Sequence, residues 1–364
     1  MFDFIPLEFY TAVQYHVLFF IALLILVHAM TYNIEDQSSL LFFHILGAVL
    51  LIIYTLYIGL RPVSGRFFGD MGTYNSYYKS LQEGKNITVE KDYVFNYFMM
   101  ACSRIMSPQA FFLLIDMMYI LPCYWFSRRY FGKYWFFGWF MFIASLSFWS
   151  FGTNGIRNGW ATSIFILGLC FYNLQKVLMY ACFLLSFFIH SSLLIPIAAF
   201  AVAALQKNPR LYLYVWLASI PLSLIAGSFW ESLFGSLGFE DRTSGYLTNN
   251  EETLQQFSQT GFRWDFVLYS ASGIVAGYYF IFKKNIKDNF YIHLLGIYAI
   301  ANAFWILVIR AAFSNRFAYL SWFLLAAVIA YPMLKYKIWK DQYRILGTII
   351  FVYFLFTYIM FLKG

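Results

Sequence analysis

Twelve apolar stretches follow one another along the chain, at 12–31, 39–60, 109–127, 134–152, 156–173, 177–190, 191–205, 211–229, 264–282, 290–309, 315–334 and 345–362. Hydrocarbon about 30 Å thick asks for roughly 20 apolar residues per helix. Lipid offers no partner to a free backbone group, so a spanning segment must satisfy its own N–H and C=O groups. The pattern predicts an all-α polytopic membrane protein with about 12 transmembrane helices. The segment 93–106 is short and mixed, with Asn96 and Arg104, and reads as an interfacial or re-entrant helix. No repeat and no linker interrupts the series, so 1–364 reads as a single transmembrane domain with two long external loops, 61–92 and 230–263. No Lys or Arg precedes Arg61, whereas a signal peptide needs a basic start, so the first apolar stretch reads as a retained span.

Composition agrees. Charged residues make up 12% of the 364 and hydrophobic residues 62%, too little polarity to clothe a soluble protein of this size. Disorder, coiled coil, collagen and a disulfide scaffold are excluded on the same grounds. Cys102, Cys123, Cys170 and Cys182 all lie in apolar stretches without metal-ligand spacing and read as small buried hydrophobes.

The net charge of +8 reports topology before it suggests nucleic acid. The basic connectors are Arg128-Arg129 with Lys133, Lys176, Lys207 with Arg210, Lys283-Lys284 with Lys287, and Lys335 to Arg344. All fall on one side only if 177–205 is a broken pair of short helices turning at His190-Ser191-Ser192. Both termini and both long loops then face outside. On this reading the cytoplasmic side holds 9 Lys and 4 Arg, the external side 4 Lys and 8 Arg. Arginine concentrates where it is not needed for topology, and its planar fork suits phosphate and carboxylate.

Particular arginines stand out. Arg157 follows Thr153-Asn154-Gly155 and Arg316 follows Ser314-Asn315, good capping residues that place each arginine in a first helical turn. The helix dipole is already positive there, so a cation in that place points to an anion held nearby. Arg263 just precedes another outward helix start, with Asp265 as a possible partner. The loop 61–74 adds Arg61, Arg66, Asp70 and Tyr74 among three glycines, a set that suits phosphate or sugar hydroxyls with Asp70 as base. A solvated loop with an internal Arg–Asp pair is the alternative. His190, at the proposed turn, reads as either a proton acceptor or a cap. Asp116 is an intramembrane carboxylate, hence a functional candidate unless a Tyr or Arg partner explains it. Asn86-Ile87-Thr88 matches a glycosylation sequon. There is no GxxxxGK[ST], no HExxH and no Asp-x-Asp pair, so a donor already in the membrane fits better than a soluble nucleotide sugar.

At these residues the sequence resembles the EpsG family of Wzy-type polysaccharide (O-antigen) polymerases. The resemblance is carried by Arg61…Arg66-Phe67-Phe68-Gly69-Asp70…Tyr74, Gly155-Ile156-Arg157-Asn158-Gly159, Phe188-Ile189-His190-Ser191-Ser192-Leu193-Leu194, and Ser314-Asn315-Arg316-Phe317-Ala318-Tyr319. One departure is Asn158, where Gln more often follows the arginine. The resemblance implies an inverting, metal-independent glycosyltransferase of the GT-C-like type, with no cofactor, in the bacterial cytoplasmic (inner) membrane. It would polymerise undecaprenyl-diphosphate-linked oligosaccharides into O-antigen, capsule or exopolysaccharide at the periplasmic or external side. Asp70, His190 and Arg157 are the expected catalytic residues; Arg61, Arg66, Arg157, Arg263, Arg310, Arg316, Tyr74 and Tyr319 would bind diphosphate or sugar. A chain-length regulator, a flippase and membrane lipid are the implied partners, and no nucleic acid. The rival readings are a flippase of lipid-linked oligosaccharide, a related ligase or membrane acyltransferase, and a non-catalytic scaffold.

Overall fold

The computed structural model describes every residue except 1, 3, 86, 87, 237–260, 312, 313 and 364. Most of the expected external loop 230–263 and the Asn86-Ile87 part of the sequon therefore lie outside the described residues. Every regular element among the described residues is a helix. In chain order these are α1 (Leu7–Thr31), α2 (Gln37–Gly59), α3 (Gly65–Phe68), α4 (Met71–Gln82), α5 (Tyr93–Ser103), α6 (Pro108–Phe131), α7 (Trp135–Ile143), α8 (Phe148–Thr153), α9 (Ile156–Cys170), α10 (Lys176–Ile189), α11 (Leu194–Leu205), α12 (Pro209–Ser236), α13 (Trp264–Tyr278), α14 (Asn289–Leu307), α15 (Asn315–Trp322), α16 (Leu325–Lys335) and α17 (Gln342–Leu362).

Eight helical stretches among the described residues are long and apolar enough to cross a membrane, and α10 and α11 are shorter apolar helices. The protein is thus a multi-pass membrane protein, with fewer full-length spans than the twelve expected. The difference has a physical cause. Segment 134–152 is not one helix but α7 and α8, parted at Ala144–Ser147, and all nine residues of α7 are buried. A helix apolar on every face is wrapped either in lipid or in protein; the burial of all of α7 shows the second, and such a helix need not match the bilayer thickness. Segment 156–173 likewise yields a helix of 15 residues, 12 of them buried. Segment 315–334, by contrast, stays one of the eight stretches, Asn315–Lys335, although its helix is interrupted between α15 and α16. The loop 61–92 is not open coil, since it folds into α3 and α4. Segment 93–106 forms the short helix α5, and the chain leaves helical geometry at His190 between α10 and α11, both as expected.

The described chain divides into two compact units, Met1–His190 with Met333–Gly364, and Ser191–Pro332. In the first, α1 shows how a helix apolar all round still takes sides. Tyr10, Gln14, Leu18, Ala22, Ile25 and Ala29 recur at helical spacing and are buried. Val17, Phe20, Leu24 and Val27 on the other face are exposed, as a lipid-facing surface would be. Helix α17 packs along α1, and a Cβ on Gly347 would overlap that of Ala29. Small residues permit this approach, the usual way that helices associate where lipid supplies no hydrophobic drive.

Hydrogen bonds define the two ends of this unit. At one end Tyr10 and Tyr57 stack at 4.2 Å, and each hydroxyl donates to the other's carbonyl at 2.7 Å. At the other end the Tyr134 and Tyr343 hydroxyls are hydrogen-bonded, Tyr343 also donates to Glu35, and Tyr130 donates to the carbonyl of Leu169. The second end therefore gathers Arg128, Arg129, Lys133, Lys176 and the segment Lys335–Arg344; the first gathers Arg61, Arg66, Asp70 and Arg157. Within this unit the basic connectors share one end, as the topology reading requires.

In the second unit the long helices α12 and α14 pack together around a buried amide. Asn302, with no exposed surface, accepts from Trp216 Nε1 at 2.7 Å and donates to Ser270 Oγ and Ser321 Oγ at 3.1 and 2.8 Å. Trp322 Nε1 donates to the same Ser270 hydroxyl at 2.7 Å. This hub ties α12, α13, α14 and α15. Asn302→Leu keeps the volume but leaves the Trp216 N–H without an acceptor. It is expected to cost about 2–3 kcal/mol, read as a lower melting temperature of the purified protein in detergent.

Candidate functional site

The first unit brings several of the expected residues together. Its foundation is Arg61, just past the end of α2. Arg61 Nη1 donates to the Ile58 carbonyl at 2.6 Å and to Asp116 Oδ2 of α6 at 2.5 Å, and Nη2 donates to the Thr153 carbonyl at 3.2 Å. Both charged side chains are sealed, at 0% and 1% exposure. The Arg61 guanidinium is thus engaged by Asp116 and by two carbonyls at the ends of α2 and α8, and is not open to solvent. Asp116 in turn has the arginine partner that explains an intramembrane carboxylate. The pair belongs to the scaffold beneath the site.

Above it, Ser64 caps α3 by accepting from Phe67 N at 3.3 Å. Gly69 follows with φ +53°, and a Cβ there would collide with the Asn154 side chain. A side chain is doubly disfavoured, by backbone sign and by space. This close approach lets Asp70 N donate to Asn154 Oδ1 at 2.7 Å. Of the expected capping residues Thr153-Asn154-Gly155, Gly155 is the N-cap of α9, without a side-chain bond, and Asn154 reaches across to the start of α4. The Asp70 carboxylate is half-buried, makes no cap bond to α4, and has no hydrogen-bond partner among the described residues.

Arg157 lies in the first turn of α9 with its side chain 31% exposed. Its Nε donates to the Tyr74 hydroxyl at 2.9 Å and its Nη1 to Asp92 Oδ2 at 2.8 Å. The guanidinium lies 5.6 Å from the Tyr74 ring centroid and 6.0 Å from that of Phe95. Burial pushes the Tyr74 phenol above its ordinary pKa, against the opposing pull of Arg157, so it stays protonated and can accept from the arginine. Asp70 with Tyr74, Asp92, and Asn154 with Arg157 thus come from three separate segments, held by direct bonds. Arg66 is exposed on α3, its guanidinium 5.4 Å from the Phe67 ring centroid.

His190 is placed differently. It ends α10 with an extended backbone, and its side chain is 3% exposed. Of the two expected bases, Asp70 is the more accessible.

In the second unit Arg263 is forked on Asp265, Nε to Oδ1 at 3.0 Å and Nη2 to Oδ2 at 2.8 Å, with its guanidinium 3.9 Å from the Phe266 ring centroid. The pairing with a near neighbour is the one the sequence offered as the alternative. Arg310 is exposed just beyond α14, its stem lying against Gly227. It is within electrostatic reach of Glu231, whose side chain is 5% exposed with Oε1 unpartnered among the described residues. Arg316 sits in the first turn of α15, half-buried, and Tyr319 follows one turn later, its hydroxyl accepting from Asn315 Nδ2 at 3.5 Å. Ser314 is the N-cap of α15 but makes no side-chain cap bond.

Asp92, Asn154 as a bridge, and Glu231 were missed from sequence. Asp92 and Glu231 sat within segments read as loops, and nothing in their spacing separates them from other loop carboxylates. Among the described residues no three His, Cys, Asp or Glu side chains gather as a metal-ligand set.

No curated protein and no solved structure matches the chain. The EpsG family matches residues 44–363, which takes in most of α2, all of α3 to α17 and every residue of the arrangement just described. With a match over nearly its whole length and the helical architecture of a multi-pass membrane protein, the chain belongs to the EpsG family, a Wzy-like family of membrane polysaccharide polymerases.

Proposed function

We propose that this protein polymerises undecaprenyl-diphosphate-linked oligosaccharide repeat units into O-antigen, capsule or exopolysaccharide at the outer face of the bacterial cytoplasmic membrane. It acts as an inverting, metal-independent glycosyltransferase of the GT-C-like type. The growing chain is the donor, a single lipid-linked unit the acceptor. The observation that carries the reading is that Tyr74, one turn along α4 from the unpartnered Asp70 carboxylate, holds the anchored, part-exposed guanidinium of Arg157.

The chemistry assigns their roles. The acceptor hydroxyl oxygen attacks the anomeric carbon, its proton passes to Asp70, and the bond from that carbon to the diphosphate oxygen breaks. Undecaprenyl diphosphate leaves with the electron pair, and the anomeric configuration inverts. Arg157 stabilises the charge that develops on the diphosphate, work that favours a fork already held in place. In the first unit Arg66 is assigned to diphosphate and sugar; in the second, Arg263, Arg310, Arg316 and Tyr319 are candidates for the same kinds of group. Tyr74 orients Arg157. Arg61 is assigned a positioning role through Thr153, and His190 a structural one at the end of α10. A chain-length regulator and a flippase are the partners of such an enzyme.

Asp70→Asn keeps the size and the backbone bond to Asn154 and removes the base. Chain extension is expected to fall by about 100-fold or more, while binding of a lipid-linked repeat unit is unchanged. Full activity would take the base away from Asp70. Product linkage read by NMR should show the anomeric configuration opposite to the donor's, and retention would contradict the single-displacement scheme.

A further inference from the structure

At the other end of the first unit, a cavity of about 520 Å³ opens among the last turn of α1, the α1–α2 connection, Tyr134 and the segment 334–344. The 23 residues of α2 separate it from Arg61, roughly 35 Å at 1.5 Å per residue, so it is no extension of the site above. Nothing in the proposed reaction uses it.

Its wall is built rather than incidental. The buried Gln342 side chain accepts from Ile338 N at 2.5 Å and donates to the carbonyls of Met333 and Tyr336 at 2.5 and 2.6 Å, pinning the turn that leads into α17. Four cations line the cavity: Lys335, Lys337, Lys340 and Arg344. The two acids that line it do not balance them. Glu35 is engaged by the Tyr343 hydroxyl at 2.9 Å and by Lys337 at 3.8 Å, and Asp341 is exposed. The Lys340 and Arg344 side chains have no hydrogen-bond or ion-pair partner among the described residues. Topology alone asks for positive charges at this end, but not for a pinned turn and a cavity beneath them.

We propose that this cavity binds a phosphate-bearing anion, held by Lys340 and Arg344. Two sources carry that chemistry, the headgroup of an anionic phospholipid and a soluble phosphate ester. The lining also includes Ala29, Met30 and Leu334 at the ends of apolar helices, the depth at which a headgroup meets its acyl chains.

The test uses the full-length protein in detergent, its melting temperature followed during titration with phosphatidylglycerol, with phosphatidylcholine, and separately with glycerol phosphate. A ligand of the folded state raises the melting temperature in a saturable way. Phosphatidylglycerol should do so by several degrees, and Lys340→Gln with Arg344→Gln should weaken the half-saturation point by about tenfold or more. Lys207→Gln with Arg210→Gln removes the same charge from a connector outside the cavity and should leave the titration unchanged. Saturation by glycerol phosphate, lost in the same cavity variant, supports the site and assigns the soluble source. The proposal is overturned if no phosphate compound raises the melting temperature, if the cavity variant responds as the parent does, or if both variants lose the response equally.

Discussion

Arg157→Lys is expected to lower chain extension by about 100-fold or more at unchanged protein level. The substitution keeps the positive charge, so simple attraction of an anion to the membrane surface survives. What it loses is the fork. Arg157 now spends Nε on Tyr74 and Nη1 on Asp92, which fixes the plane of the guanidinium before substrate arrives. An ammonium on a flexible stem has no plane to fix and cannot serve both partners in the same geometry. Polymer length on gels, normalised to the amount of protein in the membrane, reads the effect. Polymer of normal length from this variant would remove Arg157 from the reaction.

The second large effect is on folding. Asp116→Leu leaves the Arg61 guanidinium sealed at 0% exposure with its counter-charge gone. Removing one partner of a buried ion pair costs about 3–5 kcal/mol, a large share of the stability of most proteins. The folded yield should collapse. The double variant Arg61→Met with Asp116→Leu replaces the pair with apolar groups of similar bulk, and should recover most of that yield. The contrast between single and double variants is the informative result. Equal loss in both would mean that the bonds from Arg61 to Ile58 and Thr153, and not the charge balance, hold this region.

Much of the architecture was legible because lipid imposes a simple rule on composition. The break at His190 followed from charge alone, since only a broken pair of helices puts the lysine connectors on one side. Helices α7 and α8 were not legible as separate elements. Hydropathy measures the residue and not its neighbours, so a helix wrapped in protein scores like one wrapped in lipid. The site was legible in part. Arg157 stood out because a cation in a first helical turn defies the dipole. The structure answers that conflict with Asp92 and Tyr74, from segments 65 and 83 residues away in sequence. The burial of Arg61 is not legible: a loop arginine beside glycines looks available, and only the fold shows its pair with Asp116. Thr153-Asn154-Gly155 signals a helix start, and Gly155 is the N-cap, but the signal does not say what the Asn154 amide does. The positive φ of Gly69 and its contact with Asn154 draw that amide across to Asp70.

The most direct measurement incubates the purified protein, in detergent and without other proteins, with lipid-linked repeat units, and resolves the products by size. A ladder spaced by one repeat unit, persisting in the presence of a metal chelator, is the result the account predicts. Starting units recovered unchanged, under conditions where the protein binds them and remains folded, would contradict it.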